Sequence, residues 1–286
     1  MFRHTSFVLT TLISITFGPI ALAAQLKPSG ETVLSRCWQF PAENITGLIT
    51  SNGQIVATAQ GGRVFSLSAT GDKVWETDLG GEVEPALRIA DGLLVVETRS
   101  GAGGPVVRRL SIQTGLPVNS STESGANSPP AMRPGAPSTT SVEGVEIIGD
   151  DHGRVTASTV ADDNPVWTFK TGGAVSTVLG VDDGVIVISR DNFVYSLNAK
   201  NGGLRWKRRL QGRVTYYAIY GSYLLVTSVD QHGASMIDTG SGRVIAKVVV
   251  GSDEDLLTAP VVVPDGFVLA TEAGISGYSV SGCLSK

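Results

Sequence analysis

Apolar residues in this chain fall in short runs separated by polar or glycine-bearing turns, and the clearest example is GVIVISRDNFVYSLNAKNGGLRWKRRL, Gly184 to Leu210. It holds a β-rich run (Val185 to Ser189), a polar turn (Arg190 to Asn192), a second run (Phe193 to Leu197), a glycine turn (Lys200 to Gly203) and a third run around Trp206. This pattern predicts three short strands joined by tight turns.

The unit recurs. Copies begin at Gly53 (GQIVATAQGGRVFSLSATGDKVWETDL), Gly92, Gly144 (GVEIIGDDHGRVTASTVADDNPVWTFK) and Tyr223, and a shortened copy runs from Gly266 to Cys283. A further apolar run precedes each, for example Val83 to Ile89, Ala174 to Val181, Val214 to Ile219 and Thr258 to Val263. Four antiparallel strands per repeat, at a period near 40 residues, predict an all-β fold, a β-propeller. The third run carries Trp38, Trp75, Trp167 and Trp206. Asn119 and the neighbourhood of Val244 fill the two slots without tryptophan. Six slots predict about six four-stranded blades.

Trp38 has no repeat in front of it, and the last copy stops where its own outer strand is due. The N-terminal strand is therefore expected to complete the last blade and close the ring, removing an open sheet edge. Cys37 abuts that incoming strand and Cys283 ends the strand it should pair with, so a Cys37 to Cys283 disulfide is expected. The alternative is two unrelated buried thiols. For so long a loop, the chain-entropy estimate of the bond's stabilisation is about 5 kcal/mol.

The chain has 286 residues, 42% apolar, 17% charged and 6% aromatic, with 35 glycines. That is enough for a full core, and the glycines suit many tight turns. Residues 1–24 read as a secretory signal: Arg3 and His4, an apolar core from Phe7 to Ile20, then ALAAQ with small residues at the cleavage positions. Residues 25–36 are expected to be a loose lead-in, and 37–286 a single propeller domain. No transmembrane segment is expected in the mature chain, and no cysteine follows the cleavage positions to take a lipid. Two cysteines in an exported chain fit an oxidising compartment, so the reading is periplasmic or secreted. Removing Arg3 takes the formal net charge from −4 to −5. With no basic face to release counterions, nucleic acid is excluded as a main partner.

From Asn119 to Ser141 the chain is rich in Ser, Pro, Gly and Thr. It reads as a long blade-to-blade connection whose centre still supplies an inner strand, or else as an exposed arm for a partner. His152 and His232 occupy equivalent turns, DDHGRV and DQHGAS. With Asp150, Asp151 and Asp230 they offer ligand types that suit zinc, but hairpin turns need the same residues, and the turn reading is preferred. No metal or cofactor is assigned, and no GxSxG, HExxH or P-loop motif is present, so no catalytic residue is nominated. The basic run Arg205 to Arg209 predicts an outer strand with Trp206 and Arg208 on one face and Arg205, Lys207 and Arg209 on the other. Such a strand guards an edge rather than docking an anion.

The outer-strand pattern TGDKVW (Thr70 to Trp75), with NGGLRW (Asn201 to Trp206) and ADDNPVW (Ala161 to Trp167), resembles the tryptophan-docking repeat of the PQQ-like propeller superfamily. The likeness is closer to its non-enzymatic, BamB-like branch than to its eight-bladed quinoprotein alcohol dehydrogenases. It implies an exported protein-binding scaffold, as in envelope or outer-membrane protein assembly and as part of a larger complex. The alternative is a propeller that binds a quinone or other small molecule and has enzymatic activity. In such a fold the turns between second and third strands share a rim with the blade-to-blade connections. This nominates Asp150, Asp151, His152, Arg190, Asp191, Arg213, Asp230, His232, Asp253 and Glu254 as partner contacts.

Overall fold

The computed structural model describes residues 32–84, 87–99, 104–118, 138–142, 144–159, 162–228, 232–251 and 254–283. The segment 1–24, read from sequence as a secretory signal, lies outside these. Two strands come first, β1 (Thr32–Val33) and β2 (Arg36–Phe40). The first sheet then follows in chain order as β3 (Ile45–Ser51), β4 (Gln54–Ala59), β5 (Arg63–Leu67) and β6 (Lys73–Asp78). The second has an inner position split between β7 (Glu82–Val83) and β8 (Arg88–Ala90), then β9 (Leu93–Arg99) and β10 (Val106–Ser111).

The third sheet is β11 (Ser138–Val142), β12 (Val145–Gly149), β13 (Arg154–Thr159) and β14 (Asp162–Lys170). The fourth is β15 (Val175–Val181), β16 (Gly184–Ser189), β17 (Phe193–Asn198) and β18 (Leu204–Arg209). The fifth is β19 (Val214–Tyr220), β20 (Tyr223–Ser228), β21 (Gly233–Asp238) and β22 (Val244–Val249), and the sixth is β23 (Val261–Val263), β24 (Gly266–Thr271), β25 (Gly274–Ser279) and β2. All pairings within these sheets are antiparallel except that of β1, which adds to β22 in parallel with Thr32 opposite Ala246. The described residues are thus all-β, in mostly four-stranded sheets, as a β-propeller requires.

The core lies between sheets. In the central strand β16, Val185 and Val187 pack with Ile147, Val155 and Trp167 of the third sheet, while Ile186 and Ile188 pack with Leu224 and Val226 of the fifth. Strand alternation sends successive side chains to opposite faces, so a strand buried on both faces reads as an unbroken apolar run. The same two-sided packing joins the fifth sheet to the sixth, the sixth to the first, and the first to the second. No such cluster among the described residues joins the second sheet to the third.

The tryptophans clamp neighbouring sheets. The indole N–H of Trp38 donates to the Ala69 carbonyl at 3.0 Å, Trp75 to Ile112 at 2.7 Å, Trp167 to Ala199 at 2.8 Å and Trp206 to Thr239 at 2.8 Å. Each acceptor lies in the turn after the third strand of the next sheet, and each indole covers a glycine there, Gly71, Gly115, Gly202 or Gly242. These glycines have φ of +68 to +85°, and a β-carbon would lie 2.4 to 2.6 Å from the ring. Only glycine satisfies both demands.

Strand β2 pairs with β25, Phe40 opposite Ile275. Cys37 and Cys283 are disulfide-bonded, with Cα atoms 5.1 Å apart. Cys283 lies past the end of β25 at Ser279 rather than on it.

Three expectations need correction. Part of the segment read as a loose lead-in forms β1, a fifth strand on the fifth sheet. The run from Val83 to Ile89 divides into β7 and β8. The described inner strand of the third sheet, β11, lies at the end of the Asn119 to Ser141 segment, whose centre is outside the described residues.

Candidate functional site

In each antiparallel sheet the turn between second and third strands lies at the same end as the connection to the next sheet. That end carries the described nominees: Asp150, Asp151 and His152 between β12 and β13, Arg190 and Asp191 between β16 and β17, and Arg213 before β19. His232 precedes β21, and Glu254 lies between β22 and β23. Asp230 and Asp253 lie outside the described residues.

These residues divide by what they hold. Asp150 Oδ1 accepts the backbone N–H of Arg154 at 2.7 Å and of His152 at 3.0 Å, fixing the turn. The Arg154 bond foremost, then that of His152, lowers its pKa. Asp191 is half-buried and more heavily engaged. Its carboxylate accepts the Tyr195 hydroxyl at 2.5 Å, the Gly172 N–H at 2.8 Å and the Phe193 N–H at 3.1 Å. Burial pushes this carboxyl up, but the hydrogen bonds, led by that of Tyr195, outweigh it and hold the pKa below the usual aspartate range. Burial and then the facing carboxylate push the Tyr195 phenol up to about 12. Glu254 accepts the Thr271 hydroxyl at 3.1 Å. Asp150, Asp191 and Glu254 therefore hold the turns, while Asp151, His152, Arg190, Arg213 and His232 are exposed.

Of the metal set considered from sequence, three members come together among the described residues. Asp150, Asp151 and His152 bring ligand atoms within 4.8 Å of one another, and His152 Nδ1 is 2.6 Å from Asp151. His232 belongs to the fifth sheet, with the whole fourth sheet between it and His152. The basic strand behaves as expected, with Arg205, Lys207 and Arg209 exposed and Trp206 and Arg208 turned inward. Lys207 lies over the Phe193 ring at 5.5 Å, and Arg205 pairs with Asp183 at 2.8 Å.

The same end contains a cleft that sequence reasoning missed. About 400 Å³ in volume, it lies between the sixth and first sheets and is lined by Glu43, Asn44, Ile45, Thr46, Gln60, Leu257 and Glu272. The signal was available: AQGGRV (Ala59 to Val64) and TEAGIS (Thr271 to Ser276) fall in the same turn as DDHGRV and DQHGAS. A smaller cleft of about 300 Å³ lies at the opposite end, beside Thr50 to Gly53, Tyr220 and Val262 to Pro264.

Comparison with known proteins gives the family. The designed protein Ika8 is similar in structure, with a TM-score of 0.44 and 18% identity over 82% of this chain and 71% of that one. BamB from Moraxella catarrhalis has a TM-score of 0.42 and 20% identity over 87% of this chain and 88% of its own. Raptor from Chaetomium thermophilum has a TM-score of 0.54 and 11% identity over 86% of this chain but only 28% of its own. No curated protein sequence matches this chain. The sequence profile of the family described as Outer membrane protein assembly factor BamB matches residues 24–162 and 151–277. Those two stretches take in all six sheets, and the chain belongs to this PQQ-like family of the outer membrane protein assembly factor BamB.

Proposed function

We propose that this protein is an exported scaffold of the cell envelope that binds a protein partner during outer-membrane protein assembly. Its six sheets act as the blades of one closed ring, with β2 as the closing strand. The family match across residues 24–162 and 151–277 carries this reading. The Cys37–Cys283 disulfide supports it, since such bonds persist in oxidising compartments such as the periplasm. Residues 1–24 supply the export signal. The contacts are the exposed members of the nominated rim, Asp151, His152, Arg190, Arg213 and His232, because rigid sheets hold those turns in fixed relation while leaving their side chains free to meet a partner.

The test is crosslinking and affinity capture of the tagged protein from envelopes, with mass-spectrometric identification of what is bound. Components of outer-membrane protein assembly are expected with the wild type and at least about tenfold less with Arg190→Glu plus Arg213→Glu, since charge reversal at an interface costs more than 1.4 kcal/mol. Equal recovery with the double variant would place the contact elsewhere. Recovery of proteins unconnected with assembly would overturn the function.

A further inference from the structure

The fourth sheet concentrates positive charge. Between Gly184 and Arg213 stand seven of the chain's 22 lysines and arginines and a single carboxylate, Asp191. That carboxylate is already engaged by the Tyr195 hydroxyl and by the Gly172 and Phe193 N–H groups.

Strand register shows where part of this charge points. Lys207 lies opposite Tyr195 and Arg209 opposite Phe193, and directly opposed residues of an antiparallel pair share one face. Tyr195 and Phe193 pack in the cluster between the third and fourth sheets, so Lys207 and Arg209 face that junction. Trp206 and Arg208 face the other way, Arg208 Nε donating to the Gly242 carbonyl at 2.7 Å. Across the junction Phe169 of β14 meets Tyr195 edge-on, ring centroids 5.6 Å apart, and Phe193 lies 6.0 Å from the same ring. Phe169 and Phe193 are only partly buried, while Lys207 and Arg209 are exposed. The junction therefore shows an aromatic strip bordered by cations. Its rings are held in place: Asp191 bonds both the Tyr195 hydroxyl and the Phe193 N–H, and Lys207 Nζ lies 5.5 Å from the Phe193 centroid, a cation–π distance. Guarding an edge needs charge alone and does not account for accessible phenyl rings beside it. Arginine and aromatic side chains together are enriched where proteins meet.

We propose that this strip is a second docking surface, which takes an extended acidic segment of a partner protein. Lys207 and Arg209 stand at alternate positions of β18, about 7 Å apart, which is the spacing of same-face side chains in any extended chain. Two carboxylates on one face of the segment pair with them, and an aromatic side chain on that face lies against Phe169 and Phe193. The match in spacing favours a protein segment over a layer of lipid headgroups, which has no fixed repeat. With its rings already held by Asp191 and Lys207, the surface loses little freedom when the segment binds. It lies on the flank of the fourth sheet, beyond the five rim contacts named above, and the two surfaces stand or fall independently.

The experiment uses fluorescence anisotropy with a labelled peptide of about nine residues whose alternate positions are Glu, Glu and Phe, with Ser between them. Matching peptides carry Lys in place of Glu, or Ala in place of Phe. Expected are saturable binding of the first peptide, at least about tenfold weakening with Lys207→Glu plus Arg209→Glu, and about threefold weaker binding of the Ala peptide. Arg63→Glu plus Lys73→Glu makes the same change of net charge on exposed side chains of the first sheet, and it should bind as wild type does. So should His232→Ala on the rim. Circular dichroism and thermal unfolding establish that each variant is folded. If the β18 double reversal is not, Lys207→Gln plus Arg209→Gln decides, with about threefold weakening expected. Failure of the wild type to bind the acidic peptide by about 1 mM overturns the proposal. So does equal binding by the folded β18 variant, equal binding of the Lys or the Ala peptide, or an equal loss in the first-sheet variant. Phosphatidylglycerol vesicles that bind wild type but not the β18 variant, and displace the peptide, would assign the strip to a lipid surface instead. Sedimentation showing a wild-type dimer that the β18 variant abolishes would assign it to a second copy.

Discussion

The Asp191 carboxylate illustrates how a rim residue can be structural. It gathers a hydroxyl from its own sheet and an N–H from Gly172, in the connection leading from the third sheet. Replacing Asp191 by Asn leaves a single oxygen and turns an amide N–H₂ toward donors, so about 1–3 kcal/mol of stability should be lost at neutral pH. The pH dependence has a definite sign. Because the folded pKa of Asp191 is lowered, its contribution is complete above the ordinary aspartate value of about 3.9 and disappears as pH falls through the folded value. The Tyr195 phenol, raised to about 12, contributes fully below its unfolded value of about 10 and loses that contribution as pH climbs through the folded one. Urea unfolding of wild type and Asp191→Asn should therefore show a constant gap between about pH 5 and 8 that narrows below about pH 4. A gap unchanged at about pH 3 would mean that the carboxylate charge is irrelevant to the turn.

At the scale of elements, the sheet shared by the two ends of the chain was legible because the tryptophan slot is periodic. Trp38 occupies an outer-strand slot with nothing before it, and the structure pairs that strand with β25. The partner of each indole was not legible, since it lies one repeat further on, in a glycine turn indistinguishable by composition from other turns. Strand β1 was missed for a different reason: two residues, Thr32 and Val33, are too few to show a period, and their place is set by β22. Around the shared sheet the disulfide acts with Trp38, whose indole reaches the first sheet. The double variant Cys37→Ser, Cys283→Ser should therefore fold and keep its strand content while losing about 2–5 kcal/mol. Reductant should destabilise the wild type by a similar amount and leave the variant unaffected. Denaturant titrations monitored by circular dichroism test both; a reductant effect on the serine variant would point to a cause other than this bond.

At the scale of the whole molecule, stability is a series of sheet-to-sheet interfaces, and they are unequal. Five junctions share a buried apolar cluster, from the third sheet through the fourth, fifth and sixth to the first and then the second. The remaining junction, between second and third, has no such cluster among the described residues. Its tryptophan slot falls to Asn119, so the absence of an indole was already visible in the sequence. Sequence could not show that the inner position of the second sheet would be shared by β7 and β8, since that depends on where ladder bonds end. A sheet with fewer clustered apolar contacts opens at lower free energy, because fewer of them are broken. Backbone amides of β9 and β10 should therefore exchange with solvent at least about tenfold faster than those of β16 and β17, whose sheet is buried between two neighbours. Native-state hydrogen exchange with mass spectrometry resolves these strands. Equal protection in the two pairs would mean that the second sheet is held as firmly as the rest, and that opening begins elsewhere in the molecule.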